Sequence, residues 1–346
     1  MTPSNRTYSN ILIVKLSAIG DVVHALPVAP ALKRCFPAAR LTWVVEKPAY
    51  DLLANNPYID EIIVFDKPKL KKLSGFWTYA PGFVRLLRSK RFDLAIDLQA
   101  LFKSGAIAYL SGAPDRFVYC NTREFSDKLS RRVCGPHQRG HVVEQYLDVV
   151  RAVGCPVEEV VFPVAITDKE AATAAAIANQ AGLDLEQAYV ILAPGANWPN
   201  KRWPPPHFAA LADKLWADGL IPVICGGPGD APLAAEITAA CGIPPVDLVG
   251  RTSLKQLAHI IKNARALVGG DTGPMHLATA LATPVVALQG PTDTGRNGPY
   301  GKGHKALVTP RECAGCWRRA CPKGLDCLAG ITVEAVHAAV RGIADD

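Results

Sequence analysis

Three short stretches combine residue types suited to chemistry. The first is LVGGDTGPMHL, residues 267–277. Leu267 and Val268 close an apolar run that reads as a buried strand, Gly269 to Gly273 make a tight acidic turn, and Pro274 stands where the first turn of a helix tolerates proline. Such a turn presents backbone amides without intrahelical partners at the positive end of a helix dipole. It therefore suits a phosphate, with Asp271 reaching a neighbouring hydroxyl, as a nucleotide-sugar would require. The alternative is that Asp271 or Thr272 caps the helix. The second stretch, APGANWPNK (193–201), and the third, SAIGD (17–21), also follow apolar runs and end in a lysine and an aspartate. Other chemistries lack their motifs. Gly20 stands alone after ILIVKL, so no G-x-G-x-x-G fingerprint forms there, and GGPG at 226–229 does not supply that spacing. GPYGKG at 298–303 fails as a P-loop, because its glycines are too close and no Ser or Thr follows Lys302. Hydride transfer to a nicotinamide and ATP-driven chemistry are both disfavoured.

The elements that must hold these stretches alternate. ILIVKL (11–16), LTWVVE (41–46), IDEIIVFD (59–66) and FDLAIDLQ (92–99) read as strands of a buried parallel sheet. DVVHALPVAPALKRCF has helical spacing, although Pro27 and Pro30 force a late start or a kink. VVEQYLDVVRAVG, from Val142, is a helix, and FPVAITDKE (162–170) is a connector. The pattern then restarts: helix 170–181, YVILAP, a helix over HFAALADKLWADG, IPVICGG, helix 231–241, VDLVG, helix 254–263, ARALVGG, helix 275–282 and PVVALQG. The closing TVEAVHAAVRGI places Val333, Val336, Val340 and Ile343 on one face. These signals predict an α/β chain with two doubly wound, Rossmann-like domains, residues 1–165 and 166–330, followed by a packing helix over 331–346. Ligands of such domains bind outside the carboxyl ends of the strands, here across a cleft between the two.

The length of 346 residues agrees with two domains, and 49% apolar with 20% charged residues indicates packed cores. The net charge of +7 is confined to one half. Residues 1–165 hold 22 Lys and Arg against 15 Asp and Glu, whereas 166–346 hold 16 of each. The excess, concentrated in Lys67–Arg91 and Arg116–Arg139, suits an acidic partner, with ordinary solvated charge as the alternative. The polar opening MTPSNRTYSN has no apolar core of a signal peptide, and no run approaches a membrane span, so a cytoplasmic protein is expected. Neither an aromatic-rich basic sheet motif nor a helix-turn-helix signature supports nucleic-acid binding.

Taken together, ILIVKLSAIGDVVHALP, WVVE, DLQALFKSG, APGANWPNKRWP, GGDTGPMHLA and LQGPTD resemble the ADP-heptose:lipopolysaccharide heptosyltransferases, family 9 inverting glycosyltransferases of the two-domain GT-B fold. The likeness runs over nearly the whole chain. WVVE and DLQALFKSG look more like heptosyltransferase I, which adds the first heptose to Kdo, than heptosyltransferase II. The resemblance implies transfer of heptose from ADP-L-glycero-D-manno-heptose to the Kdo or heptose inner core of lipopolysaccharide, with no cofactor for catalysis. It casts Asp21 as general base and Lys201 as the cation at the donor diphosphate. Asp271, Thr272 and Gly273 would form the donor turn, with Pro194 and Gly195 in the loop before Lys201. Asp230 would serve the ribose hydroxyls or cap a helix. Lys103 and Arg123 fall on the acceptor side, where their charge suits the carboxylates of Kdo and the phosphates of lipid A. A Kdo-lipid A acceptor places the protein at the anionic inner face of the cytoplasmic membrane. The alternatives are a family 9 transferase using another sugar or acceptor, and a nucleotide-sugar binding protein without turnover.

The run Cys313, Cys316, Cys321 and Cys327, C-x2-C-x4-C-x5-C in a basic loop, either holds structural zinc or iron or remains four free thiols. The other six cysteines read as core filling.

Overall fold

The computed structural model describes residues 6–70, 73–324 and 326–344. The chain divides into two compact units, Met1–Ala165 and Ile166–Asp346. In the first, β1 (Asn10–Val14), β2 (Arg40–Val45), β3 (Glu61–Val64), β4 (Leu94–Asp97), β5 (Asp115–Tyr119) and β6 (Arg131–Val133) pair in the order β3-β2-β1-β4-β5-β6. In the second, β7 (Tyr189–Ala193), β8 (Ile221–Ile224), β9 (Val246–Asp247), β10 (Ala266–Gly270), β11 (Val285–Gln289) and β12 (Lys305–Val308) pair in the order β12-β11-β10-β7-β8-β9. Every pairing is parallel. Each sheet is therefore doubly wound, and its order reverses at the central pair: β1 beside β4, and β7 beside β10. Gaps between returning connections open at those pairs, so ligand-binding loops collect there.

Burial explains why the central strands were the legible ones. Ile11, Leu12, Ile13 and Val14 are all inaccessible, as are Val190, Ile191 and Leu192, because helices cover both faces. The sequence reading passed over β5, β6 and β12, which are short and charged: DRFVY, RRV and KALV. β9 is only two residues long, shorter than the expected VDLVG. Pro27 and Pro30 neither delay nor merely kink the first helix; the segment forms two helices, Ile19–Ala25 and Val28–Cys35, parted at Leu26–Pro27. The first helix of the second unit, Asp168–Gln180, begins two residues earlier than expected, fixed by a capping box. There the Thr167 hydroxyl accepts the Glu170 amide at 3.2 Å and Glu170 Oε2 accepts the Thr167 amide at 2.8 Å. No described helix is long and apolar enough to cross a membrane.

Cys35 and Cys155 were read as core filling, but they form a disulfide with Cα atoms 5.5 Å apart. It joins the end of helix Val28–Cys35 to the turn after helix Val142–Ala152. In the second unit the closing helix, Val333–Ala344, contributes Val336, Val340 and Ile343 to the core that also holds Leu192, Trp203 and Phe208. Trp203 anchors this corner. Its indole N–H donates to the Ile331 carbonyl at 2.9 Å, and its ring meets Phe208 edge-on at 5.0 Å. Trp203→Ala should cost about 3–5 kcal/mol, from lost burial plus the cavity left behind. Trp203→Phe should cost less, since it keeps an aromatic ring and forfeits the hydrogen bond. Urea unfolding monitored by circular dichroism measures both, and an unchanged midpoint for Trp203→Ala would contradict this account of the packing.

Candidate active site

In the first unit the site is built at the carboxyl ends of β1 and β4. Lys15 follows β1 directly and is 2% exposed. Its ammonium donates to the Tyr146 hydroxyl at 2.8 Å and the Leu98 carbonyl at 3.1 Å, and lies 3.9 Å from Asp21 Oδ2. Burial by itself works against that charge, yet Tyr146, Asp21 and Asp97 together hold the Lys15 pKa above the ordinary lysine value. Asp21 is in the first turn of helix Ile19–Ala25, where Oδ2 accepts the Ala18 amide at 3.3 Å. Asp21 is thus the third residue of the helix, bonding back to the N-cap residue Ala18, and its side chain is still 40% exposed. Gln99, two residues past β4, fixes the same turn: its Oε1 accepts the Leu16 and Ser17 amides, each at 3.1 Å.

Beneath this turn Asp97 is inaccessible and accepts the amides of Gln99 and Ala100 and the Ser104 hydroxyl, all within 3.0 Å. Burial pushes its pKa up to about 6, with these bonds and Lys15 opposing the rise. Lys103 pairs with Glu46 Oε1 at 2.8 Å, and the Glu46 amide donates to the Leu16 carbonyl at 3.0 Å, so this pair lies beside the β1 turn. The Arg123 amide donates to the Ala100 carbonyl at 2.9 Å, which brings its exposed side chain to the same edge. Asp21, Lys103 and Arg123 therefore share one edge of one sheet. Lys15, Gln99, Glu46 and Asp97 were not found from sequence. The only signal was position, since each stands at or just past the end of an apolar run.

In the second unit the equivalent ends are those of β7 and β10. The Lys201 ammonium is 2.6 Å from Asp271 Oδ2 and lies over the Trp198 ring, 4.5 Å from its centroid. His276 Nε2 is 2.7 Å from Asp271 Oδ1. Burial alone would raise the pKa of Asp271, which is 7% exposed, but His276 and Lys201 outweigh it and hold the carboxyl well below the usual carboxylate range. Close approach explains Gly270, because a Cβ there would collide with the Lys201 carbonyl. Thr272 is the residue before helix Gly273–Ala280, yet its hydroxyl turns back to the Gly270 carbonyl at 3.3 Å and makes no cap bond. Both Asp271 oxygens are engaged elsewhere, so the alternative reading of either side chain as a helix cap does not hold. Asp230 packs against Gly195, beside Pro194, and accepts the Gly227 amide at 2.9 Å. His276 was missed; its five-residue offset from Asp271 carries meaning only once the turn has curled back.

The cysteine run was read as either a structural zinc or iron site or four free thiols. Among the described residues no group of three or more His, Cys, Asp or Glu is arranged to hold a metal ion. Cys313 and Cys316 are exposed while Cys327 is buried, its sulfur against Gly290. Burial raises the Cys327 pKa and the nearby Cys316, Cys313 and Cys321 raise it further, so the four thiols remain neighbours. The loop is also joined to the lysine turn, since Asn200 Nδ2 donates to the Arg318 carbonyl at 2.6 Å.

Comparison with known proteins identifies the family and the fold. Glycosyltransferase family 9 (heptosyltransferase) matches residues 82–325. Lipopolysaccharide heptosyltransferase 1 of Pseudomonas aeruginosa is 29% identical over 90% of this chain and 87% of its own length. Among solved structures, Escherichia coli ADP-heptose lps heptosyltransferase II superposes with a TM-score of 0.78 at 25% identity, covering 97% of this chain and 98% of that one. Escherichia coli heptosyltransferase WaaC with ADP gives 0.75 at 22% identity, covering 96% and 99%. The two doubly wound units are those of the GT-B heptosyltransferase structures, and the chain belongs to glycosyltransferase family 9.

Proposed function

We propose that this transferase moves heptose from ADP-L-glycero-D-manno-heptose to a Kdo or heptose of the lipopolysaccharide inner core, with inversion, at the cytoplasmic face of an anionic membrane. The observation that carries the reading is the Asp21 carboxylate, partly exposed at the end of β1 and backed at 3.9 Å by the buried Lys15 ammonium. In this reading Asp21 takes the proton of the acceptor hydroxyl as its oxygen bonds to the anomeric carbon. The bond from that carbon to the diphosphate oxygen breaks on the opposite face, and ADP leaves with its added charge met by Lys201 and the amides at Gly273. A single displacement of this kind inverts the anomeric centre. Asp271, Thr272, Gly273, Pro194, Gly195 and Asp230 line the donor side. Lys103 and Arg123 meet the acidic acceptor.

Purified protein incubated with ADP-heptose and either Kdo-lipid A or its mono-heptosylated form, with products weighed by mass spectrometry, tests the reading. A heptose mass gain on one acceptor is expected; a gain on neither would overturn it.

Asp21→Asn retains an oxygen to accept the Ala18 amide but no base. Turnover should fall by about a hundredfold or more, with melting temperature and ADP affinity little changed. Near-normal turnover would leave Asp21 as a cap alone.

The Asp271 contacts generate a pH expectation. The folded carboxyl lies below its ordinary value of 3.8, so the unfolded chain binds the proton first as pH falls. The stabilisation is complete above that value and is lost on acidification. Melting temperature should therefore fall more steeply for the native chain than for Asp271→Asn between about pH 5 and about pH 3. Parallel curves would show that the His276 and Lys201 contacts confer no such stability.

A further inference from the structure

The flank of the first unit built on helix Phe102–Leu110 combines exposed aromatic rings with cations. Phe102 and Tyr109, seven residues apart and so on one side of the helix, are 56% and 53% exposed. The strap 124–129 lies against this helix at Gly105, where a Cβ would stand 3.3 Å from Ser126 Cβ and 3.4 Å from Leu129 Cδ1. Glu124 Oε2 accepts the Phe102 amide at 3.2 Å. Phe125 follows in the left-handed region, φ +61°, with 70% of its surface exposed. A bulky residue held in that backbone conformation only to face water is unfavourable on two counts.

Each of two rings carries a cation. The Arg116 guanidinium lies 5.2 Å from the Tyr109 centroid and the Lys128 ammonium 5.0 Å from that of Phe125. Arg116, Lys128 and Arg131 also line one depression together with Phe117 and Ser130. Arg88 joins from the neighbouring helix, donating to the Leu110 carbonyl at 3.2 Å. Asp115, in the same depression, is paired with Arg6 at 2.6 Å and accepts the Tyr8 hydroxyl at 2.9 Å. Glu124 and Asp127 are the remaining acids of the strap. The flank is thus cationic with amphipathic rings projecting from it.

We propose that this flank docks on an anionic lipid bilayer, with Phe102, Tyr109 and Phe125 entering the interfacial layer and Arg116, Lys128 and Arg131 meeting lipid phosphates. Aromatic rings favour that layer, and basic side chains near an anionic leaflet gain from its potential. The proposal deepens the transferase reading and rests on it for the identity of the acceptor. Lys103 follows Phe102 in the chain and Arg123 precedes Glu124, so a bilayer on this flank presents a lipid-borne sugar beside both acceptor-side cations.

The test is sedimentation of the full chain with vesicles of phosphatidylcholine, with and without phosphatidylglycerol, at low and high salt. Binding should require phosphatidylglycerol and weaken with salt. Tyr109→Ser/Phe125→Ser and Lys128→Gln/Arg131→Gln should each lower partitioning at least about fivefold, the scale of one lost basic residue. Ile243→Ser, a substitution of an exposed apolar residue in the second unit, should leave it unchanged. Melting curves confirm that the variants fold. Turnover on a water-soluble, delipidated acceptor should be the same in all of them, so loss of vesicle binding and loss of transferase activity are read separately. Equal binding to neutral vesicles, wild-type binding by both double variants, or substitutions that abolish self-association on a sizing column instead of vesicle binding would overturn the proposal.

Discussion

Parallel pairing is the constraint on which both sites depend. When every strand of a sheet runs the same way, every strand's exit lies on one edge, and each connection must cross the sheet to return. The order β3-β2-β1-β4-β5-β6 sends the connections after β1 and β4 to opposite sides, leaving an opening between them. The second unit repeats this at β7 and β10. Residues distant in sequence, such as Asp21 and Lys103 or Lys201 and Asp271, are gathered by topology before any side-chain interaction acts.

Charge then differentiates the two openings. In the first, one buried ammonium ties three elements: Leu98 past β4, Tyr146 on helix Val142–Ala152 and Asp21 on the first turn. A charge so enclosed survives because its partners are fixed in place, and removing any of them would leave it under-compensated. In the second, the enclosed charge is the Asp271 carboxylate, met by the Lys201 ammonium and the His276 ring. The two openings thus differ, an exposed acid beside a buried lysine in one and a buried acid between a buried histidine and a slightly exposed lysine in the other.

What was legible in sequence divides along physical lines. Strands buried on both faces must be apolar throughout, so β1, β7, β10 and β11 were evident. β5 and β6 lie at one end of their sheet and β12 at an end of the other, where Arg116, Arg131 and Lys305 are compatible with strand structure but mask its pattern. Candidate residues in turns with a characteristic local arrangement, Asp21 and Asp271, could be named from sequence. Their partners could not, because Lys15, Gln99 and His276 act through contacts that exist only after the chain has closed. The pairing of Cys35 with Cys155 was hidden for a related reason. Cys35 and Cys155, 120 residues apart, are joined, whereas the closely spaced Cys313 and Cys316 remain on the surface.

Under the proposed function, the contact between Lys201 and Asp271 would make diphosphate capture an exchange and not an addition. At 2.6 Å the ammonium is already neutralised, so an incoming anion gains only the difference between its own attraction and that of the resident carboxylate. In that reading the same carboxylate would be on hand to reclaim the ammonium as the nucleotide leaves. His276, fixed to the other oxygen, keeps that competitor from swinging aside.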